Sequence, residues 1–364
     1  AEFGFTNTGN LFLCAVNGLV YAVASWFGGR FAQRQGYFVA LRLGFLGMAL
    51  ALLAGTGLAR SLAGQFVCVI AWTLSMSLTW PSMEALISEQ EPQGRLPRLI
   101  GIYNVVWAGG AAVAYFLGGA MLEKMGRSSI FLVPAGVHLA QLAAAAWLER
   151  GLRHQRAEAD AGTGSESCAR PDRPAQSPVP PATFLKMAWV ANPFAYIAIN
   201  ALLPVIPHLA ARFELSPMFA GFFCSVWFFS RALSFVVLWI WTDWHYRFRW
   251  LCSAYVAMAC CFTVILLSGN LWVLLAAQLI FGLAAGLIYY SSLFYSMDVG
   301  ETKGEHGGFH EAAIGVGIFT GPAVGAAALR FFPEAPNMNA WAVTVLLGVG
   351  LLWLVALRWR PTKP

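Results

Sequence analysis

The stretch GFHEAAIGVGIFTGPAVGA, residues 308–326, decides the fold of this chain. It is apolar, and Gly317, Gly321 and Gly325 follow one another at intervals of four residues. Residues four apart lie on one face of a helix, so these glycines predict a flat surface on which another helix backbone can pack closely.

The same pattern recurs in the first part of the chain, 207 residues earlier. The matching positions are Gly101 with Gly308, Gly110 with Gly317, Ala114 with Gly321, Gly118 with Gly325, and Tyr103-Asn104 with His310-Glu311. At an offset of 210, the matching positions are Phe3, Thr6 and Cys14 with Phe213, Ser216 and Cys224. The chain is therefore predicted to hold two copies of one design.

The first copy is expected to be one helix short. Under the second offset residue 1 matches residue 211, so the apolar segment 184–208 has no counterpart before it. We interpret the chain as a six-plus-six design without its opening helix. A true eleven-helix protein is the alternative.

Composition assigns the chain to the membrane. Hydrophobic residues make up 59% of its 364 residues and charged residues 11%, whereas soluble domains have roughly 45–50% and about 25%. Because a membrane-spanning helix needs about 20 apolar residues, we predict an all-α integral membrane protein with eleven spans. They lie at approximately 9–29, 37–59, 64–88, 98–122, 128–149, 184–208, 217–241, 249–268, 271–296, 308–331 and 338–359.

The Lys and Arg residues indicate which side faces the cytoplasm. With loops assigned to alternating sides, seventeen of the 23 lie on one side and five on the other, and Arg231 is left inside a helix. The positive-inside rule makes the richer side cytoplasmic, which puts the C-terminus inside. This sidedness accounts for the net charge of +6 without a nucleic-acid partner. We expect a bacterial inner (plasma) membrane protein.

The sequence carries no pattern of a catalytic or metal-binding site. GxGxxG, P-loop, HExxH and nucleophile-elbow motifs are absent, and the seven cysteines show no CxxC spacing. No pair of intramembrane carboxylates is expected either. We therefore predict that the protein is not an enzyme and holds no cofactor and no metal ion.

Two loops at equivalent places in the two copies share a further motif. The loop GGRFAQRQGYFVALR (28–42) has Gly29, Gln33, Arg34 and Gly36. The loop WTDWHYRFR (241–249) has Asp243, Arg247 and Arg249. Together with the repeat, these loops resemble the major facilitator superfamily, whose motif between the second and third helices has an Asp where Gln33 stands. The alternative is that the arginines only anchor the cytoplasmic side.

The resemblance implies two helix bundles related by a pseudo-twofold axis, with twelve helices in the complete protein. Residues 1–150 would form the N-terminal bundle (helices 2–6) and residues 184–364 the C-terminal bundle (helices 7–12). The segment 151–183 between them is rich in proline and charge, which is typical of a disordered cytoplasmic linker. In such proteins the bundles rock about a site near the middle of the membrane.

The resemblance also assigns a gating role to the loop motifs. Asp243 would face the start of the helix near 98–101 while the cytoplasmic gate is closed, and Gln33 the start near Gly308. A carboxylate or amide can bind the positive N-terminal end of a helix, and the uncharged Gln33 should bind it less strongly. The gating residues are Gly29, Gln33, Arg34, Gly36, Asp243 and Arg247.

Arg231 is the most informative residue for the substrate site. An arginine at the centre of a membrane span costs roughly 2.5 to 3.5 kcal/mol, so it should face protein or a watery cavity. A role in substrate binding and a structural ion pair are both open. The candidate substrate-binding residues are Asn104, Trp107, Tyr196, Asn200, Trp227, Arg231 and Tyr289.

Two acidic residues near predicted helix ends, Glu84 and Glu311, are candidates for energy coupling. The structural alternatives are an ion pair of Glu84 with Arg95 or Arg34, and a helix-capping role for Glu311.

We predict a secondary active transporter that moves a small solute by alternating access. An arginine among aromatic rings suits a small organic anion; a sugar transporter, a drug efflux protein and a non-transporting receptor or assembly protein are alternatives. The expected partners are a small-molecule substrate, a coupling proton or cation, and the lipid bilayer, with the protein a monomer and no nucleic acid bound. Substrate identity and direction of transport stay open.

Overall fold

The computed structural model describes residues 5–88, 96–159, 180–299 and 303–359. The described residues form thirteen α-helices and no strand. The helices are α1 (Asn7–Gln35), α2 (Tyr37–Gly57), α3 (Leu62–Met76), α4 (Trp80–Ser88), α5 (Leu96–Met125), α6 (Ser129–Ala159), α7 (Pro181–Leu202), α8 (Ile206–Arg212), α9 (Pro217–Ile240), α10 (Phe248–Leu267), α11 (Leu271–Val299), α12 (Lys303–Phe331) and α13 (Met338–Trp359).

These helices make eleven spans that are long and apolar enough to cross a membrane, which confirms the predicted all-α membrane fold. Two of the spans are interrupted. A turn before Pro81 separates α3 from α4, and a 3-10 turn at Leu203–Val205 separates α7 from α8. Proline lacks the backbone N–H that continues a helix, so the breaks fall where the prolines lie.

The chain passes from the first half to the second between α6 and α7, where the linker is predicted. Helix α6 continues to Ala159 and α7 begins at Pro181. Residues 160–179, which make up most of the predicted linker 151–183, lie outside the described residues. The boundaries of the two bundles therefore stay predictions.

The stretch 308–326 packs on two neighbours at once. Gly317 and Gly321 lie against the backbone of α7, where a side chain would collide with the carbonyl oxygens of Pro193 and Ile197. On another face of α12, Gly315 lies against the backbone of Ala22 in α1. Of the three glycines predicted to accept a second helix backbone, Gly317 and Gly321 therefore do so, whereas Gly325 meets only the side chains of Leu11 and Asn339, at 3.4 Å or more.

The halves contact each other along two seams that run the length of the membrane. At the first seam, α1 packs against α12, from Gly29 and Gly308 at the predicted cytoplasmic end to Leu11 and Gly325 at the other. The second seam joins α5 to α9. In this seam Gly101 lies against the side chain of Trp239 and Gly119 against the carbonyl oxygen of Pro217, so both seams have close contacts towards both of their ends.

A groove of about 870 Å³ lies in the first half, between α2, α3, α4, α5 and α6. Met48, Trp72, Trp80, Val106 and His138 are among its lining residues. In the second half, the helices at the equivalent positions, α10 to α13, surround α7. The two halves thus differ by one span, and Gly110, the counterpart of Gly317, faces the groove without a close neighbour.

We predict that Gly18→Ala destabilises the protein by about 1–3 kcal/mol, because the added methyl group would collide with the backbone of Phe319 and force α1 away from α12. Thermal unfolding of the purified protein in detergent measures the effect. The control is Gly348→Ala in α13, where a Cβ atom meets nothing within 4 Å. Equal melting temperatures for the two variants would contradict the account of the seam.

Candidate functional site

Arg231 lies inside α9 and its side chain is buried among aromatic rings. The guanidinium carbon is 4.7 Å from the ring centroid of Trp107, 5.0 Å from Tyr289 and 5.7 Å from each of Tyr196 and Phe235. These rings come from α5, α11, α7 and α9. We call Arg231 and these four rings the arginine cage.

Small residues allow α11 to approach α9 closely enough to build this cage. A side chain at Gly282 would collide with the Trp227 carbonyl oxygen, and one at Gly286 would lie 2.6 Å from Ser234 Oγ. Ser234 Oγ also donates a hydrogen bond to the Leu283 carbonyl oxygen at 3.1 Å. The two helices are thereby fixed in the register that places Tyr289 beside Arg231.

The guanidinium is only partly satisfied by the protein. Its Nη2 donates to the Tyr196 hydroxyl at 3.3 Å, and Nε makes no hydrogen bond among the described residues. Nor does Arg231 form an ion pair with any described residue. Each ring that faces a desolvated cation contributes about 0.5 to 2 kcal/mol, and most of the five N–H donors of arginine are left for another partner.

The predicted substrate residues divide into two groups. Trp107, Tyr196 and Tyr289 contact Arg231 directly, as described above. The other three lie around the cage: Asn104 Oδ1 accepts from Trp107 Nε1 at 3.1 Å, Asn200 Nδ2 donates to the Tyr196 carbonyl oxygen at 3.0 Å, and Trp227 packs on Phe228 and Phe281. Their role in substrate binding stays a prediction.

A second buried cluster consists of Glu84, His310 and Glu311, with donor atoms that all lie within 4.8 Å of one another. The two carboxyl groups lie close enough to hydrogen-bond to each other when one of them is protonated. The expectation of no paired intramembrane carboxylates is therefore wrong. The carboxyl pair joins the two halves, since Glu84 belongs to α4 and Glu311 to α12.

Two tyrosines hold the carboxyl pair in place. The Tyr21 hydroxyl donates to Glu311 Oε2 at 2.5 Å, and the Tyr289 hydroxyl donates to Glu84 Oε1 at 3.4 Å. Because the ring of Tyr289 also faces the guanidinium of Arg231, this residue connects the carboxyl pair to the arginine cage.

Glycine again allows the approach that forms the cluster. A Cβ atom at Gly307 would lie 3.2 Å from the Pro81 carbonyl oxygen and 3.4 Å from Glu84 Oε2. Helix α12 begins at Lys303, so Glu311 lies about two turns inside the helix. The predicted capping role of Glu311 therefore does not fit. Glu84 is buried whereas Arg34 is exposed, and the other predicted partner of Glu84, Arg95, lies outside the described residues.

Sequence reasoning missed three residues of the two clusters. Phe235 follows Arg231 by four residues on α9, so helical spacing alone could have found it. His310 adjoins Glu311 and matches Tyr103 in the repeat, which was a weaker signal. Nothing in the sequence pointed to Tyr21, whose partner lies 290 residues away.

The predicted gating residues of the first loop lie at the end of α1. Gly29 lies in the seam beside Gly308, and Gln33 Oε1 accepts a hydrogen bond from the Tyr37 hydroxyl at 2.9 Å. Arg34 is exposed. Gly36 forms the turn into α2 with φ of 97°, a left-handed conformation that favours glycine.

In the second loop, Asp243 and Arg247 are exposed, and neither has a side-chain hydrogen bond or ion pair with a described residue. Between them, His245 stacks on Phe294 with ring centroids 4.2 Å apart. Burial lowers the pKa of His245 to about 4, so the imidazole is neutral at physiological pH. The gating role of both loops stays a prediction.

Comparison with known proteins assigns the family. The family model described as Major Facilitator Superfamily matches residues 1–197, more than half of the chain. The chain belongs to the major facilitator superfamily. The predicted resemblance is thereby confirmed.

Two curated members of the superfamily share parts of the sequence. The multidrug resistance protein MdtG of Serratia proteamaculans (strain 568) is 30% identical over 139 residues, which are 36% of this chain and 33% of that protein. The tetracenomycin C resistance and export protein of Streptomyces glaucescens is 29% identical over 157 residues, which are 43% of this chain and 28% of that protein. The chain thus spans a third or less of each of these relatives.

A solved structure of the superfamily has the same fold. The human organic anion transporter MFSD10 (TETRAN) superposes with a TM-score of 0.68, over 96% of this chain and 83% of that one. The two sequences are only 16% identical, so the likeness is one of fold.

Proposed function

We propose that this protein is a secondary active transporter of organic anions that carry an aromatic or other apolar group. The observation that carries the proposal is the arginine cage: a buried guanidinium with unused N–H donors, surrounded by four aromatic rings. A carboxylate or phosphate on the substrate would accept charge-assisted hydrogen bonds from Arg231. Its apolar part would pack on the rings.

The position of the cage supports alternating access. Trp107 belongs to the first half, whereas Arg231, Tyr196 and Tyr289 belong to the second. A solute bound there would be held by both halves at once. Separation of the seams on one side of the membrane or the other would open the site to that side.

The carboxyl pair is our candidate for coupling to a proton. Two carboxyl groups can hydrogen-bond to each other only while one of them carries a proton, and Glu84 and Glu311 come from different halves. Separation of α4 from α12 would therefore release or accept that proton. Because Tyr289 contacts both Glu84 and Arg231, a change in the charge of the carboxyl pair would change the electrostatic surroundings of Arg231.

The setting we propose is a bacterial inner membrane with the C-terminus in the cytoplasm, and the protein acting as a monomer. The asymmetry of Lys and Arg between the two sides supports this orientation. Since the two curated relatives that share parts of the sequence come from bacteria, the inner membrane is the compartment that fits them.

Export of lipophilic drugs is the second candidate function. Two observations favour it: both curated relatives are named for drug resistance or export, and the groove in the first half is lined mostly by apolar and aromatic side chains. A sugar would stack on the rings but would leave the charge of Arg231 unmatched. A non-transporting receptor would bind solute without moving it, which a flux measurement distinguishes.

The anion proposal predicts that Arg231→Leu lowers uptake of aromatic carboxylates into proteoliposomes by about a hundredfold, because the charge-assisted hydrogen bonds are lost. Arg231→Lys should retain part of the activity, since the charge is kept without the planar donor set. Arg330→Leu, at an exposed arginine, is the control. Undiminished uptake by the folded leucine variant would remove the proposal, and wild-type transport of lipophilic drugs without uptake of aromatic carboxylates would favour the second candidate.

The coupling proposal predicts that the double variant Glu84→Gln, Glu311→Gln no longer accumulates substrate against a gradient when a pH difference is imposed. Exchange of labelled for unlabelled substrate should persist, because the cage is intact. Glu149→Gln is the control, since Glu149 forms an ion pair with Arg42 at 3.3 Å, away from the carboxyl pair. Accumulation at the wild-type level by the double variant would exclude the pair as the coupling site.

A further inference from the structure

His310 has an imidazole nitrogen that the proton-coupling role does not use. The residue is almost fully buried, and Nδ1 lies 3.2 Å from Ser292 Oγ. On the other side of the ring, Nε2 makes no hydrogen bond and lies 3.8 Å from Glu84 Oε1. A nitrogen buried to this degree and aimed at a carboxylate, too far away to donate to it, indicates that a ligand belongs between them.

We propose that Glu84, His310 and Glu311 form a binding site for a divalent transition-metal ion. One imidazole nitrogen and two carboxylates are a ligand set that suits Zn²⁺, Co²⁺ or Mn²⁺, whereas Mg²⁺ and Ca²⁺ prefer oxygen ligands alone. The ion takes the place of the proton that the carboxyl pair shares, so its binding releases that proton.

The geometry is close to that of a bound ion. Donor atoms at about 2.0–2.2 Å from one ion lie at most about 4 Å apart, and the three donor atoms here lie within 4.8 Å of one another. Side-chain shifts of about 1 Å bring all three to ligand distance.

The surroundings have the features of a metal site's outer shell. Ser292 contacts Nδ1 of His310 and thereby fixes the ring with Nε2 toward the carboxylates. Tyr21 and Tyr289 orient the two carboxylates. Among the described residues, no Lys or Arg forms an ion pair with Glu311. A bound cation would therefore neutralise a carboxylate whose charge no basic side chain balances there.

The site lies near one surface and across the seam. His310 is seven residues from the start of α12, about 10 Å along the helix. Because Glu84 belongs to the first half and His310 and Glu311 to the second, an ion enters when the halves part at that end. Once bound, it joins the halves.

The test is a titration of the purified, chelator-treated protein with Co²⁺, using an affinity tag without histidine. We expect one Co²⁺ per chain, a visible absorption band from the bound ion, and an affinity that rises with pH as the shared proton is displaced. His310→Gln and Glu311→Gln should each weaken binding by at least about tenfold. The control, His138→Gln, alters a histidine that contacts Trp72 and Gln141 and should bind Co²⁺ normally.

Two results would overturn the metal site: no saturable binding by the wild-type protein, or equal binding by the wild type and the folded His310 variant. If neither variant folds, the hyperfine spectrum of Mn²⁺ bound to the His138→Gln protein tests the site instead. Hyperfine coupling to an imidazole nitrogen would support the metal site, and its absence would overturn it. Since the titration needs no substrate, its outcome is separate from that of the transport measurements.

Discussion

The backbones of α1 and α12 are in contact across the membrane, as are those of α5 and α9, and the chemistry of the centre depends on this contact. Glycines at the crossing points remove the side chains that would hold the helices apart. With both seams closed, Arg231, Glu84 and Glu311 are enclosed in protein. Each then needs a partner that is inside the molecule, because neither water nor lipid can supply one.

The buried positive charge and the two buried acidic groups have different kinds of partner. The positive charge is placed among π-faces and keeps unused donors, whereas the two acidic groups are placed beside each other, where they could share a proton. Tyr289 lies between them, with its ring toward Arg231 and its hydroxyl toward Glu84. Both clusters draw residues from both halves. A movement of the halves would therefore change the surroundings of the cation and the carboxyl pair together, which is what coupled transport requires.

The fold and part of the candidate site could be predicted from the sequence. Length and hydropathy define each span locally, and glycine spacing defines a face of one helix, so the eleven spans and the packing of 308–326 could be predicted. Arg231 could be found because a charge within an apolar run is conspicuous in any arrangement of helices. The repeat also explains why Gly110 and Gly317 have different surroundings, since in the part of the chain that the structure describes only the second half contains a helix like α7.

The carboxyl pair could not be predicted, for two physical reasons. Hydropathy places a residue along its own helix but does not say which helix lies beside it, and Glu84 and Glu311 meet only through the contact of α4 with α12. The start of α12 was also predicted at 308 instead of Lys303, because its first residues are polar. The prediction therefore placed Glu311 in the first turn, although it lies about two turns inside the helix, and this concealed its burial.

The central claim is that an anion binds in the arginine cage. The most direct measurement is an electron cryomicroscopy map of the protein with an aromatic carboxylate at saturating concentration. The account predicts density for the carboxylate within hydrogen-bond distance of Arg231, with the aromatic part packed against the rings of the cage. Density confined to the groove beside Trp72 and Val106, with the cage unchanged, would contradict it.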